Sequence, residues 1–322
     1  MAVPALQVHA SRHCNLRCLH CYSESGPDQR DALPLDVLER LVGHAADEGY
    51  RVLSLSGGEP LLYGGSPALL RRAHERGMST TLTTNGTLLR PRYLEPVAEH
   101  LDLLAISLDG VPESHDRMRA HPKAFELLRT GLAEVHRLGL PFGLIFTLTQ
   151  HNVDELRWVA GFAAEAGAKL LQIHPLEAVG RARTELPDST PDDRERFFGW
   201  TEALAAQAMV GERLRVQLDL ATVSALGTER HLRNADLPPS EWQRPLAELC
   251  APLVLEPDGV LVPLTYGFPR HLAVGDVTRE DLPEAATRWR SRYGDFTAHC
   301  ARAYGAAQRA GGLVNWFEVV SA

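Results

Sequence analysis

Residues 11–22 read S-R-H-C-N-L-R-C-L-H-C-Y and place Cys14, Cys18 and Cys21 on one short loop, in a C-x3-C-x2-C run. Strand-like and helix-like patterns alternate outward from that loop. Residues 5–10 before it read as a strand. Residues 35–49 after it carry Leu38, Leu41, Val42 and Ala45 at helical spacing and end at Gly49, a helix stop. A strand at 51–56 runs straight into Gly57-Gly58-Glu59-Pro60. Helix 67–76, strand 79–84, strand 101–108, helix 124–138, strand 142–148, helix 153–166 and strand 169–174 continue the pattern. This alternation predicts an α/β fold with parallel strands. Six such units make a partial, TIM-like (β/α)6 barrel over residues 1–187. A helix at 194–209 and a strand at 214–220 open a connector spanning 188–245, whose residues 227–245 are charged and proline-bearing. Residues 246–322 form a small C-terminal α/β extension, in which two apolar runs flank Pro257-Asp258-Gly259, a hairpin signal.

Three thiols on one loop can hold three corners of a four-iron, four-sulfur cube and leave the fourth iron without a protein ligand. The next cysteine along the chain is Cys250. Two other readings stand beside this one: a zinc site completed by His13 or His20, and three unrelated buried thiols. At the level of function they correspond to a non-catalytic zinc or iron-sulfur scaffold or sensor.

Composition narrows the class. The 322 residues are 44% hydrophobic and 23% charged, as in an ordinary globular protein. A net charge of −8 argues against broad nucleic-acid binding, which needs basic surface. No apolar stretch is long enough to cross a membrane, and the first residues resemble no signal sequence, so a cytoplasmic protein is expected. Five cysteines, three of them clustered, suit a reducing compartment better than a disulfide framework. All positive charge is arginine apart from Lys123 and Lys169, which reads as compositional bias.

The cysteine run followed by G-G-E-P resembles the radical S-adenosylmethionine (radical SAM) superfamily over roughly residues 5–180. The resemblance implies that Cys14, Cys18 and Cys21 hold a [4Fe-4S] cluster and that SAM chelates its open iron. Reductive cleavage of SAM would then yield a 5′-deoxyadenosyl radical that abstracts hydrogen from a substrate. His20 stands where relatives carry an aromatic residue against adenine. Gly57, Gly58, Glu59 and Pro60 would meet the methionine amino group, with Gly57 and Gly58 letting backbone approach the ligand and Glu59 supplying a carboxylate. Ser107 and Asp109 correspond to a ribose-contacting strand end. Arg119 matches an arginine that grips the SAM carboxylate, with Arg117 as competitor. Asn85, Thr147, His174 and Glu177, all at strand ends, are candidates for the SAM or substrate pocket.

Residues 250–277 resemble the start of a SPASM or twitch extension that has lost its cluster cysteines: Pro263, Leu264 and Thr265 occupy the place of one. Two thiols, Cys250 and Cys300, cannot close an auxiliary cluster. They read either as buried small apolar groups or as hydrogen donors to a substrate radical. A redox-neutral outcome is therefore expected: epimerisation, rearrangement, elimination or decarboxylation. The expected partners are a peptide or small natural-product substrate, an electron donor such as flavodoxin or ferredoxin, and, for a peptide, a discrete leader-peptide-binding protein. Neither nucleic acid nor membrane is expected as a partner.

Overall fold

Each strand of the N-terminal half buries alternate side chains, and that period of two lays out the molecule. In the computed structural model, residues 3–227 and 237–322 are described; residues 228–236 of the expected connector lie outside them. β1 (Ala5–His9) leads through the cysteine loop to α1 (Leu35–Asp47). It is followed by β2 (Val52–Ser56), α2 (Ser66–Glu75), β3 (Ser79–Thr84), α3 (Pro91–Ala98), β4 (Leu103–Ser107), α4 (Pro112–Met118), α5 (Ala124–Arg137), β5 (Phe142–Leu148), α6 (Leu156–Glu165) and β6 (Leu170–Pro175). Leu6, Val8, Leu53, Leu55, Leu82, Leu104, Ile106, Phe146, Leu171 and Ile173 are buried beneath the helices. The helices answer with matching stripes, among them Leu38, Leu41, Val42 and Ala45 of α1.

The opposite strand face differs in kind. Gln7, Ser54, Ser56, Thr81, Thr83, Thr147, Gln172 and His174 occupy the alternate positions and stay partly exposed. A closed barrel of this family of shapes fills its interior with branched apolar side chains. Here the interior is polar, as suits an open one.

The helices α3 and α4 were not foreseen from sequence. Both begin with a proline in the first turn, and α3 buries only Leu94 and Val97, too few apolar positions to register as a periodic stripe. The later helix α8 starts at Asp193 after the short α7 (Ala182–Glu185), and Asp192 caps it in a reciprocal box with Glu195.

After α8 (Asp193–Val210), β7 (Arg215–Leu218) adds to β6 in parallel, through Leu171↔Val216. Past β8 (Ala221–Thr222), α9 (Val223–Leu226) and α10 (Leu246–Leu249), β9 (Leu253–Leu255) pairs in parallel with β1 through Leu6↔Leu253. The antiparallel β10 (Val260–Pro263) and β11 (Gly275–Asp276) complete a ten-stranded sheet in the order β11-β10-β9-β1-β2-β3-β4-β5-β6-β7. Its two edges do not pair with each other, so the barrel is open. The C-terminal strands thus extend the barrel's own sheet. α11 (Leu282–Arg290), α12 (Tyr293–Ala310), β12 (Leu313–Val314) and α13 (Trp316–Ser321) follow, with β12 paired to β8.

A buried ion pair fastens this segment to the barrel. Glu48 at the end of α1 pairs with Arg290 of α11, with side chains 16% and 9% exposed, and also accepts the Leu246 N–H at 2.6 Å. Glu48→Ala leaves the guanidinium buried without its counter-charge. It should cost about 3–5 kcal/mol in urea unfolding, and adding Arg290→Met should recover most of that loss.

Candidate functional site

The cysteine loop is clamped from two sides by backbone. At the end of β2, Gly58 N–H donates to the Ser11 carbonyl (2.8 Å) and Glu59 N–H to the His13 carbonyl (2.9 Å). A Cβ on Gly58 would lie 2.1 Å from the His13 oxygen, and Gly57 takes φ +116°. These glycines bring two loops together; the close approach they permit is to residues 11–13, where sequence reasoning expected a ligand. On the other side, Arg181 N–H donates to the Cys21 carbonyl (3.0 Å), while its guanidinium donates to the carbonyls of Cys18 (2.8 Å) and Ser25 (2.5 Å). A side chain on Gly180 would meet the Tyr22 carbonyl at 2.3 Å.

Within this clamp Cys14 and Cys18 are buried and Cys21 is partly so. Burial, then the Glu59 carboxylate, pushes the Cys14 thiol up to about 12, and burial raises Cys18 against the pull of Arg119. Cys14 and Cys18 therefore rest protonated and would release protons on binding iron. Donors already face the sulfurs: Leu16 N–H (3.4 Å) and Asn85 Nδ2 (3.7 Å) toward Cys14, and an Arg119 nitrogen (3.8 Å) toward Cys18. Such donors are the usual surroundings of cluster sulfurs. Asn85 also donates to Asn15 Oδ1 (2.9 Å), which ties β3's end to the loop.

The zinc alternative finds less support. His13 turns its Nδ1 to the Gln29 carbonyl (2.9 Å), and His20 faces Asp109. Among the described residues no three His, Cys, Asp or Glu side chains converge on a point for one ion.

Beyond Cys18 lies a buried charge centre. Asp109, fully buried, pairs with Arg119 at 2.7 Å and accepts the Thr147 N–H at 3.2 Å. Burial opposes its ionisation, but Arg119, with His20 and His115 nearby, holds the carboxyl down at about 2. Arg119 keeps a buried Nε without a hydrogen-bond partner, a donor left over beside the sulfur. Arg117, its competitor, is exposed. Glu59, 2% exposed, already receives Leu61 N–H (3.1 Å), Thr84 Oγ1 (2.9 Å) and Asn85 N–H (2.9 Å), while burial raises it to about 7. Both its oxygens brace strand ends, and Pro60 opens the 3-10 turn that Glu59 caps. The three thiols, their N–H donors and the spare Arg119 nitrogen fit a cluster with a carboxylate-bearing ligand. Cys14, Cys18 and Cys21 would hold the iron.

The barrel mouth adjoins this centre. Ser107 and Thr147 sit at the ends of β4 and β5, and register places Thr147 beside His174. His174 is paired through Nδ1 with Asp219, just after β7; its side chain is 42% exposed and that of Asp219 12%. Burial alone would lower this imidazole, but Asp219 outweighs it and raises it. Glu177 accepts from Asn315 Nδ2 (2.9 Å), so the C-terminal segment reaches the mouth. Opposite, His9, Tyr22 and Tyr266 form an edge-packed aromatic trio.

Cys250 and Cys300 stand elsewhere. Both are 0% exposed in the apolar core, and burial raises both thiols, Cys300 to about 12. That burial supports the reading of both as small apolar groups over that of hydrogen donors to a substrate. Sequence reasoning also missed Arg181, Asp219, His115 and Tyr22. Asp219 was read as part of the strand at 214–220, which in fact ends at Leu218, and for Arg181 there was no signal.

Two pH effects follow. Burial keeps His9 neutral down to about 4; His115, lowered by burial and by Arg119, stays neutral to about 3. Unfolded chains protonate first, so stability should fall as pH drops from about 6.5 toward 4, by at most about 1.4 kcal/mol per pH unit for each ring. Urea titrations at several pH values check this, with His115→Gln flattening the slope. His174 has the opposite sign: its pairing stabilises fully below the unfolded value, and that contribution is lost as pH rises through the folded one. Asp219→Asn should lower the His174 pKa, as read by NMR of its ring nitrogens.

Comparison with known proteins agrees with this geometry. Residues 8–163 match the family model described as the Radical SAM superfamily. An AdoMet-dependent heme synthase of Methanosarcina barkeri is 33% identical over 190 residues, 58% of this chain and 54% of that protein. A PqqA peptide cyclase of Ruegeria pomeroyi is 28% identical over 281 residues, 82% of this chain and 68% of that one. The chain spans about half the length of the first curated relatives it matches. Among solved structures, anSMEcpe with bound AdoMet superposes with a TM-score of 0.66 at 17% identity, covering 98% of this chain and 84% of that one, which bears on the fold alone. The clamped thiols lie within the matched segment, on a barrel of the same fold: the chain carries a radical SAM superfamily domain, whose cofactors are a [4Fe-4S] cluster and S-adenosylmethionine.

Proposed function

We propose that this protein is an enzyme that reductively cleaves SAM and uses the resulting radical chemistry on a peptide or small natural-product substrate in the barrel mouth, with a redox-neutral outcome. The observation that carries the reading is the loop of three clamped thiols with N–H donors on its sulfurs and an unpartnered Arg119 Nε beside them. When bound, the cluster and SAM supply the one-electron cleavage that makes a hydrogen-abstracting carbon radical. The chain's own part is to hold and to exclude. Arg119, fixed by Asp109, offers its free Nε to an anionic group such as the SAM carboxylate. His20, Ser107, Thr147 and His174 line the adjacent strand ends and would contact SAM or substrate.

The redox-neutral reading rests on the C-terminal segment, where both remaining thiols are buried in apolar core. Substrate class is supported from two directions: a peptide by the PqqA peptide cyclase relative, a small molecule by the heme synthase relative. A flavodoxin- or ferredoxin-type donor would reduce the cluster, and a discrete leader-binding protein would present a peptide.

Anaerobic reconstitution with iron and sulfide, followed by dithionite and SAM, should yield 5′-deoxyadenosine detectable by mass spectrometry. The Cys14, Cys18 and Cys21 triple alanine variant should yield none. A cluster that forms and binds SAM but never cleaves it, even with candidate substrates, would favour a sensor or scaffold.

A further inference from the structure

With both remaining cysteines buried in apolar core, an epimerisation that consumes SAM needs another group in the mouth to return a hydrogen atom. One side chain is built for it. Tyr22 directly follows Cys21, and the residue is 37% exposed. Its hydroxyl lies 2.9 Å from His9 Nε2 and 3.4 Å from Ser56 Oγ, two residues on the interior face at the ends of β1 and β2.

The direction of the first bond follows from the other side of the imidazole. His9 Nδ1 is 3.0 Å from the Leu255 carbonyl oxygen, which can only accept, so Nδ1 carries the hydrogen. The ring is buried and neutral, so Nε2 presents a lone pair and the Tyr22 hydroxyl donates to it. Tyr266, from the segment after β10, packs its ring edge-on at 5.0 Å from both the Tyr22 and the His9 rings. The phenol is thus aimed by a buried acceptor, braced by an aromatic neighbour and left accessible on one side.

We propose that Tyr22 is the hydrogen-atom donor that quenches the substrate radical, with His9 and Tyr266 as positioning residues; this rests on the radical reading above. In the step, the Tyr22 O–H bond breaks and a C–H bond forms on the substrate carbon. Tyr22 is oxidised by one electron to a neutral phenoxyl, and the carbon radical is reduced. One electron from the low-potential flavodoxin- or ferredoxin-type donor, and one proton from solvent at the exposed side, restore the phenol. His9 remains neutral throughout.

The reconstituted enzyme can be tested without knowing the substrate. In D2O with dithionite and SAM alone, Tyr22 carries an exchangeable deuteron and the deoxyadenosyl fragment is the carbon radical at hand. Wild type should give 5′-deoxyadenosine bearing deuterium, and freeze-quenched samples should show a tyrosyl radical by EPR. Tyr22→Phe should lose both label and signal. Tyr93→Phe, on α3 and away from the mouth, should keep both. Unlabelled product from wild type, or equal labelling from Tyr22→Phe, overturns the proposal while leaving SAM cleavage established. Absence of deoxyadenosine altogether overturns the radical reading, and this inference with it.

Discussion

The close backbone contact between residues 57–59 and residues 11–13 is the constraint on which the site depends. Two hydrogen bonds hold it, and only a residue without a Cβ fits at position 58, 2.1 Å from where the His13 oxygen already stands. Because β1 and β2 are adjacent and parallel, their C-terminal ends emerge side by side, and this contact turns two neighbouring loops into one rigid shelf. Arg181 closes the shelf from β6, on the far side of the opening. The cysteines are therefore preorganised by backbone, so that iron would meet ligands whose ordering entropy is already spent.

Electrostatics around the shelf runs from outside to inside in a consistent order. Exposed ion pairs cover the helices, where they contribute little. Inward, Asp109 and Arg119 form a nearly dry pair, surrounded by His20 and His115, both kept uncharged by burial. An ion pair so placed is costly to break and well suited to fixing one geometry. The mouth contains the two contrasting histidines: His9, neutral between a carbonyl and a phenol, and His174, drawn toward its charged form by Asp219. One fold thus places a fixed acceptor and a titrating cation at opposite ends of the same interior.

Much of this was legible in the residues. The cysteine spacing, the β/α alternation and the placement of every motif at a strand's C-terminal end were local patterns, and local patterns survive folding. Leu38, Leu41 and Val42 of α1 and Leu53 and Leu55 of β2 are buried as their periods require. Signals failed where an element was too short for a period, as in α3 and α4, or where a residue's meaning lay in a distant partner. Asp219 matters because β7 lies beside β6, and Arg181 because a loop from β6 returns over Cys18. Glu59 also has partners that no local pattern announced, since its buried oxygens accept from Leu61, Thr84 and Asn85.

By itself the sequence determined the chemistry that can be present: three thiols on one loop, glycines that permit a close approach to backbone, and strands alternating with helices. These are properties of spacing, which covalent geometry enforces before any folding. Only the tertiary structure decided which groups meet. It buried Cys250 and Cys300 in apolar core, brought Tyr266 against Tyr22 and His9, and chose Arg119 over Arg117. Such choices depend on strand order and on which face of an element points inward, and those are settled by packing of the whole chain.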